Sequence, residues 1–299
     1  MKLPGNKTKL VCTIGPASDA PEMIEQMIEA GMNVARLNFS HGDFTHHGEV
    51  IARIRAAAEK TGQRVAIMAD LPGPKMRIGR LAEEPVMLRR GERFTLTARP
   101  GVGDGSRVSI SMPGLPGLVH RGETLFLNDG LIELRVEEVA GDDIHCTVVV
   151  GGELRSRKGL NIPGIDLGTS AFTEHDRECM RFALEHGVDA VSQSFVNRAA
   201  DIEDVRRAAA ELGFDPFIIA KIERASVREH LEEILVAADG IMIARGDLGV
   251  ELPIEQIAVV QKEITALANL HARPVITATQ MLESMTRSRR PTRAEATDV

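Results

Sequence analysis

The chain has 299 residues, of which 43% are hydrophobic and 26% charged, with a net charge of −7. That composition belongs to a globular protein with a sizeable aliphatic core, and it excludes a disordered tail, a collagen-like repeat and a disulfide scaffold. The acidic balance, with no Trp and no Tyr, argues against a nucleic-acid or anionic-membrane surface.

In chain order, a short apolar run at 9–14 ends in Gly15-Pro16 and predicts a first strand. A helical pattern follows with Met23, Met27 and Ala30 on one face, closed by Gly31. A second strand is expected at 33–39, then a helix to about Lys60, then a third strand at 64–69 that runs into Asp70 and the turn-forming Leu-Pro-Gly-Pro. The alternation resumes with a helix at 173–186, a strand at 190–195, a helix at 199–212 and a strand at 217–222. A helix at 225–237, a strand at 240–244, a helix at 254–270 and a strand at 274–279 complete the series. Alternating strands and helices mean parallel strands with helical crossovers. About seven such units point to an α/β fold, a (β/α)8 barrel rather than an open sheet.

One interval is too long for a single βα unit. Residues 77–157 are rich in Gly and Pro, and their apolar positions alternate, as at Phe94 and Leu96 or Ile132, Leu134 and Val136. This predicts an all-β module inserted after the third strand, on the active-site face, where it could act as a lid. The expected division is barrel at 1–72, inserted β domain at 73–158 and barrel again at 159–299. The barrel reads as truncated before its eighth strand, with a last helix opening at Pro291-Thr292-Arg293. A fragment of a longer protein, or a shortened relative, is therefore expected.

Polar residues fall where barrel strands end. Arg36, Asn38 and Ser40 share one face of the second strand by period-two spacing. Lys221 and Glu223 do the same on the fifth, and the sixth ends in Arg245, Gly246 and Asp247. A salt bridge and a helix cap would explain these singly. Two carboxylates at neighbouring strand ends suit Mg²⁺, which keeps waters and takes further oxygens from substrate. Lys221 beside them can stabilise charge developing on an oxygen. Thr277 and Thr279 share a face of the seventh strand, a weak signal alone. Cys12 and Cys179 read as core, His46 and His47 as surface, Met281 and Met285 as packing, and the Arg287, Arg289, Arg290 cluster as a solvated loop. The scattered cysteines suggest a reducing compartment. No apolar run reaches the ~18 residues of a membrane span, and the basic N-terminus lacks the apolar stretch of a leader. A soluble cytoplasmic protein is expected, with no nucleic-acid or membrane partner.

At these residues the sequence resembles the pyruvate kinase family. The matching stretches are Thr8 to Ser18, Gly31 to Gly42, Lys221-Ile-Glu223, Ile243 to Gly249, Ala278 to Met285 and Arg290 to Glu295. The resemblance implies phosphoryl transfer from phosphoenolpyruvate to ADP, giving pyruvate and ATP. It implies that Glu223 and Asp247 hold Mg²⁺ (or Mn²⁺), that Lys221 offsets charge on the transferring phosphoryl, and that Ala244, Arg245, Gly246 and Asp247 lie along the substrate, with the backbone amides at 244–246 facing its carboxylate. Thr279 would serve protonation of enolpyruvate, and Arg36 and Arg77 would bind phosphate. Asn38, His41 and Lys158, with Arg36, would line the nucleotide side, and Asp129 would belong to the closing domain. A homotetramer is implied for the full-length form, with residues 287–293 near one interface.

One departure carries chemistry. Many family members read Asp-Thr-Lys-Gly-Pro-Glu after the third strand and bind K⁺ there, whereas this chain reads Asp70-Leu-Pro-Gly-Pro-Lys75. Leu71 removes a side-chain oxygen and Lys75 adds a fixed cation. The expectation is a K⁺-independent site in which Asn38, Ser40 and Asp70 bond to Lys75. Two rival readings are a Mg²⁺-dependent phosphoenolpyruvate/pyruvate-type aldolase or lyase, and a catalytically silent protein that keeps the barrel. A lyase has no need of a nucleotide lid, and a silent protein no need of Lys221, Glu223, Asp247 and Arg36 together.

Overall fold

The computed structural model describes residues 7–165, 168, 170–279 and 281–299. Gln280, within one of the matched stretches, lies outside them. The barrel opens with strand β1 (Leu10–Thr13), helix α1 (Pro21–Glu29), β2 (Met32–Asn38), α2 (Phe44–Thr61) and β3 (Ala66–Leu71). The inserted part holds β4 (Val86–Leu88), β5 (Arg93–Thr97), β6 (Arg107–Ser109), β7 (Thr124–Leu127), β8 (Ile132–Ala140), β9 (Asp143–Val150), β10 (Gly152–Leu154) and β11 (Leu160–Asn161). The barrel then continues through α3 (Glu174–Glu185), β12 (Ala190–Gln193), α4 (Ala199–Glu211), β13 (Phe217–Ile222) and α5 (Leu231–Ala237). It ends with β14 (Gly240–Ala244), α6 (Arg245–Glu251), α7 (Ile257–Leu270), β15 (Val275–Ala278) and α8 (Arg293–Asp298).

The seven barrel strands form one sheet in the order β1-β2-β3-β12-β13-β14-β15, every neighbouring pair parallel. The inserted strands form a separate six-stranded sheet, β11-β7-β8-β9-β5-β6, and a two-stranded one, β10-β4. Each part has its own apolar core. One runs between the barrel strands and their helices, from Ile14 to Ala268, and the other joins Met76 to Ile162 within the inserted part. Phe94 is fully buried in the latter. Replacing it by Ala should cost about 3–5 kcal/mol of stability, through lost burial and the cavity left behind. Amide hydrogen exchange along β5, β8 and β9 will measure that loss, and less than ~1 kcal/mol would contradict this packing.

Caps explain several boundaries. Asp43 caps α2 by accepting from the His46 amide, 2.8 Å away, and α2 stops at Gly62 at φ +64°. Thr173 and Asp176 form a capping box on α3, as Thr292 and Glu295 do on α8.

Several expectations need correction. In α1 the buried residues are Ile24 and Ile28, whereas Met23 is exposed. Two stripes in that helix have apolar i, i+4 spacing, and the barrel wall takes the β-branched one. The stretches at 225–237 and 254–270 each begin as a 3₁₀ turn, at Ala225–Glu229 and Ile254–Gln256, before the α-helix starts. Helix α6 stands between the expected strand at 240–244 and helix at 254–270, where no element was expected; Gly246 and Gly249 give it little intrinsic preference. Met281 and Met285 are exposed and His47 is buried, whereas Cys12, though partly exposed, packs against the barrel core. Burial pushes the Cys146 and Cys179 thiols up to about 12, so both are protonated and unreactive at neutral pH. Among the described residues, no helix is long and apolar enough to cross a membrane.

Candidate active site

The barrel interior explains where the polar residues meet. An apolar layer of Val11, Val34, Met68, Ala190, Ile219, Met242 and Ile276 fills it, one residue from each strand. Strand side chains alternate with period two, so the layer above, towards the C-terminal strand ends, is Thr13, Arg36, Asp70, Ser192, Lys221, Ala244 and Ala278. Hydrogen bonds link five of these around the wall. Arg36 Nη1 donates to Thr13 Oγ1 (2.9 Å), and Arg36 Nε to Asp70 Oδ2 (3.0 Å). Ser192 Oγ donates to Asp70 Oδ1 (2.8 Å), and Lys221 Nζ stands 3.1 Å from the same oxygen.

Lys221 spends all three of its N–H donors within the protein. Besides Asp70 it meets Ser194 Oγ at 2.7 Å and Glu223 Oε1 at 2.9 Å. Ser194 Oγ in turn donates to the Leu71 carbonyl (2.6 Å), and the Phe195 amide donates to Glu223 Oε2 (2.8 Å). Asp70, Lys221 and Glu223 are all buried. Burial alone would raise the Asp70 carboxyl, but the charges of Lys221 and Arg36 and the Ser192 hydroxyl outweigh it and hold Asp70 below the ordinary carboxylate value. Burial would likewise strip Lys221 of its proton, and Glu223 and Asp70 reverse that, so its pKa is raised. Burial of Glu223, opposed by Lys221 and reinforced by Asp247, raises its carboxyl.

Glu223 and Asp247 line one small cleft between barrel and inserted domain, together with Phe195, Arg224 and Glu251 from the barrel and Met76, Leu160 and Asn161 from the other side. No cluster of three or more His, Cys, Asp or Glu side chains suited to a metal occurs among the described residues. A pair of carboxylates in a cleft fits a hard divalent cation that completes its shell with water and substrate, and does not fit a closed structural site.

The other candidate residues lie at barrel strand ends and on the inserted domain. The turn carrying Asn128, Asp129 and Gly130 rests on α6, where a side chain at Gly130 would come within 3.2 Å of Val250. A Cβ at Gly159 would lie 3.3 Å from Lys75 Cε and 3.5 Å from Asp129 Oδ1, so those two residues converge there. A Cβ at Gly246 would lie 3.4 Å from Thr279 Oγ1, which sets that hydroxyl beside the start of α6. Ala244 is buried at the end of β14. Asn38 Oδ1 accepts from the Ser40 amide (3.0 Å) and closes the turn that carries His41. Lys158 lies on the inserted side, its carbonyl bonded to the Ile78 amide.

Two placements, those of Lys75 and Arg77, differ from expectation. Lys75 does not join Asn38, Ser40 and Asp70; its Nζ is 4.0 Å from Asp247 Oδ1, while Asp70 is occupied by Arg36, Ser192 and Lys221. The turn at Gly73 (φ +66°) is the physical reason. Its amide is tied to Asp176 (2.9 Å), and a Cβ there would fall 2.9 Å from the Phe195 ring, so the chain swings from β3 towards the inserted domain. The Arg245 side chain turns away from the cleft, donating to the Ala278 and Thr279 carbonyls (3.1 and 3.0 Å) and pairing with Asp298; the expectation concerned its backbone amide, which stands at the start of α6. Arg77 donates to the Arg157 carbonyl (3.0 Å), inside the inserted part. Sequence reading missed Ser192 on β12 and Ser194 just beyond its end, whose i, i+2 spacing is the signal used at the other strands.

A parallel barrel of βα units, with a β domain folded over a carboxylate–ammonium cluster at its C-terminal strand ends, is the class that fold and site define. Residues 5–299 match the family model described as pyruvate kinase, barrel domain, and the chain belongs to the pyruvate kinase family. It is 52% identical over 299 residues to a protein of Thermococcus litoralis named pyruvate kinase, covering all of this chain and 63% of that one. Proteins of the same name from Mycobacterium intracellulare and Geobacillus stearothermophilus are each 45% identical, over 97% and 98% of this chain and 62% and 50% of their own lengths. The chain thus spans between half and just under two thirds of these relatives.

Proposed function

We propose that this chain carries the catalytic site for phosphoryl transfer from phosphoenolpyruvate to ADP, giving pyruvate and ATP, in the cytoplasm. The observation that carries the reading is the buried Asp70–Lys221–Glu223 network, joined by the half-buried Arg36 and facing Asp247, in a chain of this family. Glu223 and Asp247 would hold Mg²⁺ or Mn²⁺. When bound, that ion supplies positive charge to the substrate's carboxylate and enolate oxygens.

The protein's own part is positioning and charge. Asp70 and Glu223 hold Lys221 protonated, so it presents a fixed positive charge to the moving phosphoryl group. Because its three donors are already spent, binding that group replaces one internal partner by a substrate oxygen. The first amides of α6, at Arg245 to Asp247, lack intrahelical acceptors and suit the substrate carboxylate. Arg36 serves phosphate, and Arg77 joins it on leaving the Arg157 carbonyl, while Asn38, His41 and Lys158 line the nucleotide. As the P–O bond to enolpyruvate breaks and one to ADP forms, the enolpyruvate left behind gains a proton at its methylene carbon, with the Thr279 hydroxyl beside it. The inserted domain, through Asp129, covers the cleft. The full-length form is proposed to be a homotetramer.

A coupled assay for pyruvate, on this chain and on any longer form of the gene product, tests the reading. ADP- and Mg²⁺-dependent product supports it, and enolate chemistry without ADP favours a lyase. The same assay tests the monovalent ion. With Leu71 lacking a side-chain oxygen and Asp70 already held by Arg36, Ser192 and Lys221, the residues at 38, 40 and 70 leave a monovalent cation too few oxygens, and the rate should change less than about twofold on adding K⁺. A rise above about tenfold would overturn K⁺ independence.

A further inference from the structure

His47 is a buried histidine that the proposed chemistry leaves without a task. It sits in the first turn of α2, and its ring lies flat on Phe39, centroids 4.2 Å apart and planes 19° apart. Its Nε2 is 2.8 Å from the His41 carbonyl oxygen. A carbonyl only accepts, so Nε2 carries the proton. The turn is fitted around the ring. Gly42, at φ +81°, would place an added Cβ 3.3 Å from that nitrogen. The same turn is held at its start by the Phe39 amide bonded to the Asp70 carbonyl (3.0 Å) and by the Asn38 side chain.

We propose that His47 is a positioning residue for the nucleotide: its hydrogen bond to His41 and its stack on Phe39 fix the turn at 38–42, and so set the affinity for the nucleoside diphosphate. This rests on the reading that Asn38 and His41 face ADP. A packing role alone would need the ring but not its N–H. The N–H is what secures the carbonyl of His41, itself one of the residues assigned to the nucleotide. Burial disfavours the charged ring, with His46 acting in the same direction and the His41 bond and Asp43 against it, and the balance is a lowered pKa. The ring is therefore neutral at neutral pH, and the bond is an ordinary N–H donor to a carbonyl.

Two variants separate the roles. H47F keeps a flat ring and loses the donor; H47Q keeps an N–H donor and loses the ring. Steady-state kinetics on the full-length gene product should show KM for ADP raised about tenfold in H47F, the effect of one lost hydrogen bond in a buried site. In that variant kcat and KM for phosphoenolpyruvate should stay within about twofold, and H47Q should recover most of the ADP affinity. An unchanged KM for ADP in H47F, or a parallel loss of both substrates' KM and of melting temperature, overturns the proposal. Hydrogen exchange of the amides at 40–42, without ligands, is read alongside. Faster exchange in H47F supports the positioning role, and equal exchange overturns it. Should the wild type form no pyruvate, the functional reading itself falls and takes the nucleotide assignment with it; the exchange result still decides whether His47 orders the turn.

Discussion

Lys221→Met should lower kcat for pyruvate formation by at least about 10³-fold, while KM for ADP changes little. The charge of Lys221 is asked to act on the moving phosphoryl group, so its loss is felt in the transition state rather than in nucleotide binding. Removing one such electrostatic donor typically costs ~3–4 kcal/mol of transition-state stabilisation. The variant should also be less stable, because Glu223 stays buried without the ammonium 2.9 Å away. Breaking a buried pair by deleting one member costs about 3–5 kcal/mol, so kinetics belong at low temperature with folding checked by far-ultraviolet dichroism. A folded variant retaining more than about a tenth of the wild-type rate would remove Lys221 from the mechanism.

The second large effect falls on stability. Asp70 is the hub of the polar layer, accepting from Arg36 and Ser192 and paired with Lys221. Asp70→Asn removes the charge but keeps the shape, and should cost about 3 kcal/mol or more, since two cations then face a neutral amide in a buried place. The pH dependence has a definite sign. The folded-state pKa of Asp70 is depressed, so its stabilisation is complete above the unfolded value near ~3.9 and is lost as pH falls through the lower folded value. Urea unfolding from neutral pH downwards should therefore show the wild type losing its advantage over D70N in acid. A constant difference between the two curves down to the lowest pH at which both fold would contradict the assignment of this carboxylate.

Much of the architecture is legible in the residues because local and global signals agree. Gly187 after a helix at φ +75°, Thr173 before one and alternating Ile132, Leu134 and Val136 each have a single good structural outcome. The polar residues at strand ends were legible for the same reason, since period two in a barrel strand leaves few places for a charge to go. Illegible features involve choices between equivalent local patterns. Met23 and Ile24 begin equally good stripes, and only the barrel wall selects one. His47 follows His46 in a polar helix start, and only the Phe39 ring and the His41 carbonyl bury it. Helix α6 is disfavoured by its glycines, yet Gly249 packs so closely on Ile257 that a side chain there would sit 2.8 Å away. The direction of Lys75 depends on Gly73 and on Asp176, which is more than a hundred residues away in the chain.

The residues by themselves determined the order of strands and helices, the inserted β region and which strand positions are polar, because hydrophobic period and cap chemistry act within a few residues. Which of those polar groups meet was decided only by the tertiary structure. Asp70 and Lys221 are 151 residues apart, and they touch because parallel register sets both one pleat above the same apolar layer. Lys75 shows the converse. Its charge and its neighbourhood in the chain are plain to read, but an ammonium on a long stem pairs with whichever carboxylate the fold brings within reach, and here that is Asp247.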